Sequence, residues 1–85
     1  MKYKINKGLI NQVVGGKMTI FDGENSLLHT FSESGSFIFK KIRIGADDQD
    51  IIDMLVKRYG IKRAIAEKDF YEFVNELLLK GIISK

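Results

Sequence analysis

Few side chains in this sequence have the chemistry of a catalyst or a metal ligand, and His29 is the first to consider. It is the single histidine of an 85-residue chain that contains no cysteine. A zinc site would therefore need carboxylates alone beside His29, and thiolate nucleophiles and disulfides are excluded. Because a lone histidine on a strand is usually a packed or solvent-facing side chain, we expect neither a metal site nor a cofactor.

Three serines, Ser32, Ser34 and Ser36, are the candidate nucleophiles. A serine nucleophile needs a base within hydrogen-bond reach, and the G-x-S-x-G pattern of a nucleophile elbow is absent. A catalytic triad would have to recruit His29. Capping of a helix by Ser32 or Ser34 explains this polar segment better, since a serine hydroxyl accepts a hydrogen bond from the free N–H groups of a first helical turn. The sequence therefore predicts a protein that is not an enzyme.

Two further patterns that resemble chemical sites have structural explanations. The run Gly15-Gly16-Lys17 lacks the G-x-x-x-x-G-K-[ST] spacing of a phosphate loop and lies between two strand-like segments, where a hairpin turn explains it. Asp47 and Asp48 suit the positive end of a helix dipole. We interpret them as helix-capping charges rather than as an acid–base pair.

Composition indicates one globular domain spanning residues 1–85. Hydrophobic residues make up 45% of the chain and charged residues 29%, which is ordinary for a folded domain. No apolar run approaches the roughly 18 residues of a membrane span, and no targeting segment is visible. Since the chain has no cysteine that would suit an oxidising compartment, we expect a cytoplasmic protein without a membrane partner.

The first half of the chain predicts a three-stranded antiparallel meander. Its apolar and β-branched segments are Leu9–Val14, Lys17–Phe21 and Ser26–Phe31. Gly15-Gly16 tolerates the positive φ angles of a two-residue hairpin, and Asp22–Asn25 reverses the chain again. The third strand is therefore an edge. Ahead of the meander, the alternation in Tyr3–Ile5 favours a short extended segment.

The second half of the chain predicts three helices. They run from about Glu33 to Arg43, from Asp47 to Tyr59, and from about Ala66 or Lys68 to Lys80. Each helix is followed by a glycine, and Asp47 forms a capping-box-like start with Asp50. Ile82-Ile83 is expected to pack as a short tail. The predicted fold class is therefore α+β, with a three-stranded antiparallel sheet followed by three helices.

The third helix carries more apolar surface than one small core requires. Its buried stripe is expected to consist of Phe70, Phe73, Val74 and Leu77. Tyr71 and Leu78 lie on the flank of this stripe with Asn75 between them. Either the sheet or the terminal tail covers this flank, or the flank is the wall of an apolar groove.

The predicted edge strand favours a binding function for the same region. Ser26–Phe31 contains no Lys, Pro or Gly bulge, the features that usually prevent an edge from pairing with another strand. An extended peptide that pairs with this edge would place its side chains in the groove. Dimerisation through the edge is the competing explanation. We therefore predict a peptide-binding site that comprises Leu27, Leu28, His29, Thr30 and Phe31 on the strand and Tyr71, Val74, Asn75 and Leu78 on the helix.

A net charge of +3 also suits a winged-helix DNA-binding regulator, which is the alternative function. Four basic residues cluster just before the third helix. The helix that would enter the major groove, however, carries four acidic side chains that would face the phosphates. The two sets are Lys57, Arg58, Lys62 and Arg63, and Glu67, Asp69, Glu72 and Glu76. We therefore expect no nucleic-acid partner.

Three motifs resemble those of one family, in the same order and over nearly the whole chain. Phe31-Ser32-Glu33-Ser34-Gly35, followed by Ile38-Phe39, is similar to L-N-x-T-G-x-x-I-W. Gly45-Ala46-Asp47-Asp48-Gln49-Asp50-Ile51-Ile52 is similar to G-x-T-x-x-E-I, with Asp in both the capping and the acidic positions. The ending D-V-x-x-F-L-x-x-L-x-x-x-G-L-L is matched by Asp69-Phe70, Phe73-Val74, Leu77 and Gly81-Ile82-Ile83. The sequence thus resembles the PqqD-like family of pyrroloquinoline quinone biosynthesis protein D, also called precursor peptide recognition elements.

The resemblance implies a winged helix-turn-helix-like fold that binds peptide rather than DNA. Family members bind the leader segment of a ribosomally made precursor peptide as an added strand between the third strand and the third helix. They present it to a modifying enzyme such as a radical SAM protein. Carried over to this chain, the third strand is Leu27–Phe31 and the third helix runs from about Lys68 to Lys80. The family supplies a groove but no invariant binding residues.

Overall fold

The computed structural model of the chain describes residues 2–14, 17–23 and 27–85. In chain order the strands are β1 (Lys4–Ile5), β2 (Leu9–Val14), β3 (Lys17–Asp22) and β4 (Leu27–Thr30). The helices α1 (Glu33–Arg43), α2 (Asp48–Tyr59) and α3 (Arg63–Leu79) follow, and β5 (Ile83–Ser84) ends the order. No helix in the described parts of the chain is long and apolar enough to span a membrane.

The three longer strands form an antiparallel sheet in the order β2-β3-β4. The predicted meander, with its third strand at an edge, is therefore confirmed. The register places Ile20 opposite His29 and Phe21 opposite Leu28. The turn predicted at Gly15-Gly16 lies outside the described residues, as does the second half of the reversal predicted at Asp22–Asn25.

A second, two-stranded sheet joins the two ends of the chain. β1 pairs with β5 in antiparallel fashion, with Ile5 opposite Ile83. The backbone N–H of Asn6 also donates to the carbonyl of Ile82 at 3.0 Å. The extended segment predicted near Tyr3 therefore exists, and the terminal tail is a strand paired with it. Local sequence pattern could not predict this pairing, because the two partners are separated by almost the entire chain.

The core lies between the inner face of the three-stranded sheet and the three helices. Strands β3 and β5, the three helices and Ile82 beside β5 contribute side chains that are nearly inaccessible to solvent. They include Met18 and Ile20 from β3, Phe39 and Ile42 from α1, Ile51 and Ile52 from α2, Phe70, Val74 and Leu77 from α3, and Ile82 and Ile83 from the chain end. Burial of this apolar surface is the main favourable contribution to folding.

The helix boundaries follow their capping residues closely in α1 and α2. Ser32 caps α1, where its hydroxyl accepts a hydrogen bond from the N–H of Gly35 at 3.2 Å. Asp47 caps α2 through the N–H of Gln49 at 3.3 Å. Gly60 ends α2 in a left-handed conformation at φ 62°, which a residue with a Cβ adopts only at a cost.

Helix α3 begins earlier than the sequence pattern predicted, at Arg63 instead of Ala66 or Lys68. Its N-cap, Lys62, makes no side-chain capping hydrogen bond, so no capping signal marks this start. Tertiary contacts hold the first turn instead. The guanidinium of Arg63 pairs with Asp53 of α2 and, at 3.2 Å, with Glu67 one turn along α3.

Ser36 connects helix α1 to the sheet. Because β4 ends at Thr30, the N–H of Met18 in β3 has no β4 partner beyond that point. The buried hydroxyl of Ser36 accepts this N–H at 3.0 Å. Ser36 thus replaces a missing strand residue, a role that its proximity to the predicted caps did not reveal.

Replacement of Ser36 by Ala should destabilise the protein measurably. The variant leaves the buried N–H of Met18 without an acceptor, which costs about 1–3 kcal/mol. For a domain of this size the melting temperature should fall by roughly 4–8 °C per kcal/mol. The matched control is Ser34→Ala, because Ser34 is exposed and its hydroxyl lies 3.3 Å from that of Ser32. Equal melting temperatures for the two variants would contradict this role of Ser36.

Candidate functional site

A groove lies between strand β4 and helix α3. It encloses a cavity of about 330 Å³. The strand side consists of Leu28, His29 and Thr30 together with the following Phe31 and Ser32, and the helix side consists of Phe73, Glu76, Leu77 and Lys80. We call this feature the β4–α3 groove.

The floor of the β4–α3 groove is aromatic and aliphatic. The rings of Phe31 and Phe73 meet edge to face, with centroids 5.2 Å apart and planes at 81°. Phe31 also packs against Phe39 of α1 at 5.4 Å. Phe31 and Leu77 are buried, whereas Phe73 is only partly buried and so remains accessible from the groove. The floor therefore offers an apolar surface on a rigid, buried support.

The rim of the groove is polar. On α3, the ammonium of Lys80 lies 3.0 Å from the carboxylate of Glu76, one turn away. Both side chains are about half exposed, so this ion pair contributes little to stability. On the strand side, Thr30 and Ser32 are exposed. The rim can therefore reorganise around a ligand at little cost.

His29 has one ring atom that lacks a partner. Its side chain projects from the same face of the sheet as Ile20, and its Nε2 atom is buried without a hydrogen bond in the described structure. Among the described residues, no group of three or more potential ligands could hold a metal ion. His29 therefore brings one buried ring nitrogen without a hydrogen bond to the lining of the groove.

The outer edge of β4 presents backbone groups to the groove. The N–H of Phe31 donates to the carbonyl of Met18 at 2.9 Å, so the backbone of Phe31 points toward β3. Backbone direction alternates along a strand, so the N–H and C=O groups of Leu28 and Thr30 point away from β3. In the described structure β4 is the last strand on this side of the sheet. These groups are a template for another strand.

The strand half of the predicted site lies in the groove. Leu28, His29, Thr30 and Phe31 all line it. Leu27 belongs to β4 and stands opposite Asp22 in the register. The structure thus brings four of the five strand residues together at the groove, and their part in peptide binding stays a prediction.

None of the four helix residues of the predicted site lines this groove, and their part in peptide binding stays a prediction. Val74 is part of the core, and Leu78 is half-buried against it. Asn75 is exposed but absent from the groove wall. The hydroxyl of Tyr71 donates to Asp48 of α2 at 2.9 Å, which raises the pKa of Tyr71 above its ordinary value. The flank with Tyr71 therefore meets α2.

The groove wall comes from the opposite side of α3. Phe73, Glu76, Leu77 and Lys80 follow the i, i+3, i+4, i+7 spacing of one helix face. The sequence pattern assigned Phe73 and Leu77 to the core stripe and did not assign Glu76 or Lys80 to the groove. The charged pair at i and i+4 beside an aromatic residue was the available signal, but it is also typical of a solvated helix face.

Substitution of Gly35 should perturb both stability and the groove. A Cβ at Gly35 would lie 2.9 Å from the ring of Phe73 and 3.4 Å from the Cβ of Phe31. Gly35→Val should therefore cost more than about 1 kcal/mol, the typical effect of a point mutation. Gly35→Ala is the control and should cost less, because the end of the Phe73 ring can shift and alanine favours a helix. Thermal melts of the three proteins test this order. A valine variant as stable as wild type would contradict it.

Comparison with known proteins supports the architecture. The family model of coenzyme PQQ synthesis protein D (PqqD) matches residues 18–83. The solved structure of TbiB1 in complex with the TbiA(beta) leader peptide is 19% identical, with a TM-score of 0.88 over 94% of this chain and 93% of that chain. A lasso peptide synthetase B1 complexed with its leader peptide is 18% identical, with a TM-score of 0.93 over the full length of both chains.

At these identities the two structures establish a shared fold, and the winged helix-turn-helix-like α+β class expected from the sequence is confirmed. Comparison with curated proteins gives no significant match. The family match spans well over half of the chain, from the central strand to the terminal one. It includes all three helices and both sides of the β4–α3 groove. The chain therefore belongs to the PqqD family.

Proposed function

We propose that this protein binds the leader segment of a ribosomally synthesised precursor peptide as a strand added to β4, and presents it to a modifying enzyme. The observation that carries the proposal is the open edge of β4 beside a groove with an apolar floor and a polar rim. Membership of the PqqD family supports it. Both similar structures are complexes with leader peptides, which supports it further.

Strand addition accounts for affinity without a fixed peptide sequence. The outward backbone groups of Leu28 and Thr30 would form the main-chain hydrogen bonds of an added strand. Alternate side chains of the peptide would then point to Phe31, Phe73 and Leu77 on the groove floor. The backbone supplies general affinity, and the floor selects apolar side chains.

The adaptor role concerns what happens to the bound peptide. An added strand keeps the remainder of the precursor free to reach an enzyme, such as a radical SAM protein. The proposal assigns no catalytic step and no cofactor to this chain. Both partners are expected in the cytoplasm, where the precursor is made. A second copy of this chain at the same edge would compete with the peptide.

The charge distribution of the helices is less suited to a DNA-binding function. Arg63 pairs with Asp53 and Glu67, so its charge is already compensated within the protein. Arg58 lies 3.5 Å from Glu33 and stacks over the ring of Phe37 at 4.9 Å. The basic cluster noted in the sequence is therefore engaged in part with neighbouring side chains, which weakens its attraction for phosphates.

A proline at position 30 tests strand addition directly. Thr30→Pro removes an outward N–H and places the proline ring in the path of an added strand, while the hydrogen bonds to β3 remain. A peptide selected from a random 12-residue display library on the wild-type protein serves as the probe. We expect the variant to bind it at least about tenfold more weakly, a change of about 1.4 kcal/mol. Fluorescence anisotropy measures the affinity.

Thr30→Val is the matched control, because it changes the same side chain and keeps the N–H. Its affinity should stay within about twofold of wild type, and both variants should keep a cooperative melt. Full affinity in a folded proline variant would contradict strand addition. Failure to select any peptide, together with salt-sensitive binding of duplex DNA, would favour the DNA-binding alternative.

A further inference from the structure

Three exposed apolar side chains form a row across the outer face of the sheet. Ile10 of β2 stands opposite Phe21 of β3, and Phe21 stands opposite Leu28 of β4. Their side chains are 60%, 40% and 67% exposed. Residues directly opposite one another in an antiparallel sheet project from the same face. We call this set the outer row.

The outer row lies on the side of the sheet that faces away from the helices. On β3, its member Phe21 follows Ile20, which points to the other face and is fully buried in the core. On β4, Leu28 likewise alternates with His29, whose Nε2 atom is buried. The outer row therefore projects from the face of β4 opposite to His29, and it meets the β4–α3 groove only at its end, where Leu28 is one of the lining residues.

The row next to the outer row on this face is polar. The adjacent row consists of Gln12, Thr19 and Thr30, which are polar and stand in register across the three strands. The outer row also ends at Leu28, on the open edge of β4. Its most exposed side chain is thus the one next to the position of an added strand.

We propose that the bound leader peptide extends the outer row with an apolar side chain of its own. This inference rests on the proposed function, and it adds a rule for the peptide. A strand added to β4 must place one residue opposite Leu28, and that residue points to the outer face. Its two neighbours point into the groove. The leader class is therefore an extended segment with groove-facing residues on both sides of one outward apolar residue.

The side chain that covers Leu28 would belong to the leader peptide, because an added strand places one of its residues directly opposite Leu28. Directly opposite side chains lie about 4.5–5.5 Å apart at their Cβ atoms, so the outward residue would cover Leu28 as soon as the strand forms. Burial of two apolar side chains in one contact removes both from water. Such a contact should change affinity roughly two- to fivefold, the usual range for a cross-strand pair.

Parallel peptide selections test this rule. A random 12-residue display library is selected on the wild-type protein, on Leu28→Thr and on Val13→Thr. Threonine keeps the β-branched character that suits a strand while it removes apolar surface. Val13 is the matched control, because it is an exposed apolar residue on β2 that does not belong to the outer row. The readout is the residue preference at each position of the enriched peptides.

We expect wild type and Val13→Thr to enrich peptides with an apolar residue between two groove-facing positions. Leu28→Thr should keep the groove preferences and lose the outward one. The affinity of one selected peptide is then measured with Leu28→Thr in the protein, with serine in place of the outward apolar residue of the peptide, and with both changes together. The loss of binding free energy for both changes together should be smaller than the sum of the two separate losses. If the enriched peptides show no preference for an apolar residue at the outward position, or if that preference survives Leu28→Thr, this inference is overturned and the proposed function is not. If no peptide is enriched, the proposed function fails and this inference with it.

Discussion

The packing of Phe31 is the contact on which the rest of the structure depends. This residue follows the last residue of β4 and precedes the N-cap of α1, so it lies where the sheet passes into the helices. Its ring meets Phe39 of α1 and Phe73 of α3, and its N–H continues the ladder to β3. One residue therefore fixes the sheet edge, the first helix and the groove-lining helix relative to one another. Gly35 permits this closeness, because a larger residue would displace Phe73.

This arrangement separates stability from binding. The core side chains behind the groove are almost fully buried, so they give the groove a support that a ligand need not organise. The outward edge of β4 and the polar rim on α3 contribute little to that core. A small domain has a limited stability margin, and here the binding elements can remain unpaired without exposing the core.

Local sequence signals predicted the elements that depend on neighbouring residues. The meander, the cap at Ser32, the cap at Asp47 and the turn at Gly60 all have such signals, and all occur in the structure. The start of α3 was predicted too late, because contacts of Arg63 with α2 replace a cap. The pairing of β1 with β5 depends on residues at opposite ends of the chain.

The two sides of the groove likewise differ in how much the local sequence reveals about them. An unprotected edge is a property of one strand, so the sequence located the β4 side of the groove. The choice between two flanks of α3 depends on how that helix rotates against α2 and the sheet. Tyr71 is partly exposed on the flank of α3, as its spacing indicated, and its hydroxyl donates to Asp48 of α2. Phe73 resembled a core residue, yet it is only partly buried and lines the groove.

Residue-resolved amide hydrogen exchange tests the central claim, that β4 accepts an added strand, most directly. In the free protein the N–H of Phe31 is bonded to Met18 and should exchange slowly, whereas the outward N–H groups of Leu28 and Thr30 should exchange rapidly. Saturation with a selected peptide should slow exchange at Leu28 and Thr30 and leave Phe31 as it was. Peptide binding that leaves both outward amides in rapid exchange would contradict the account.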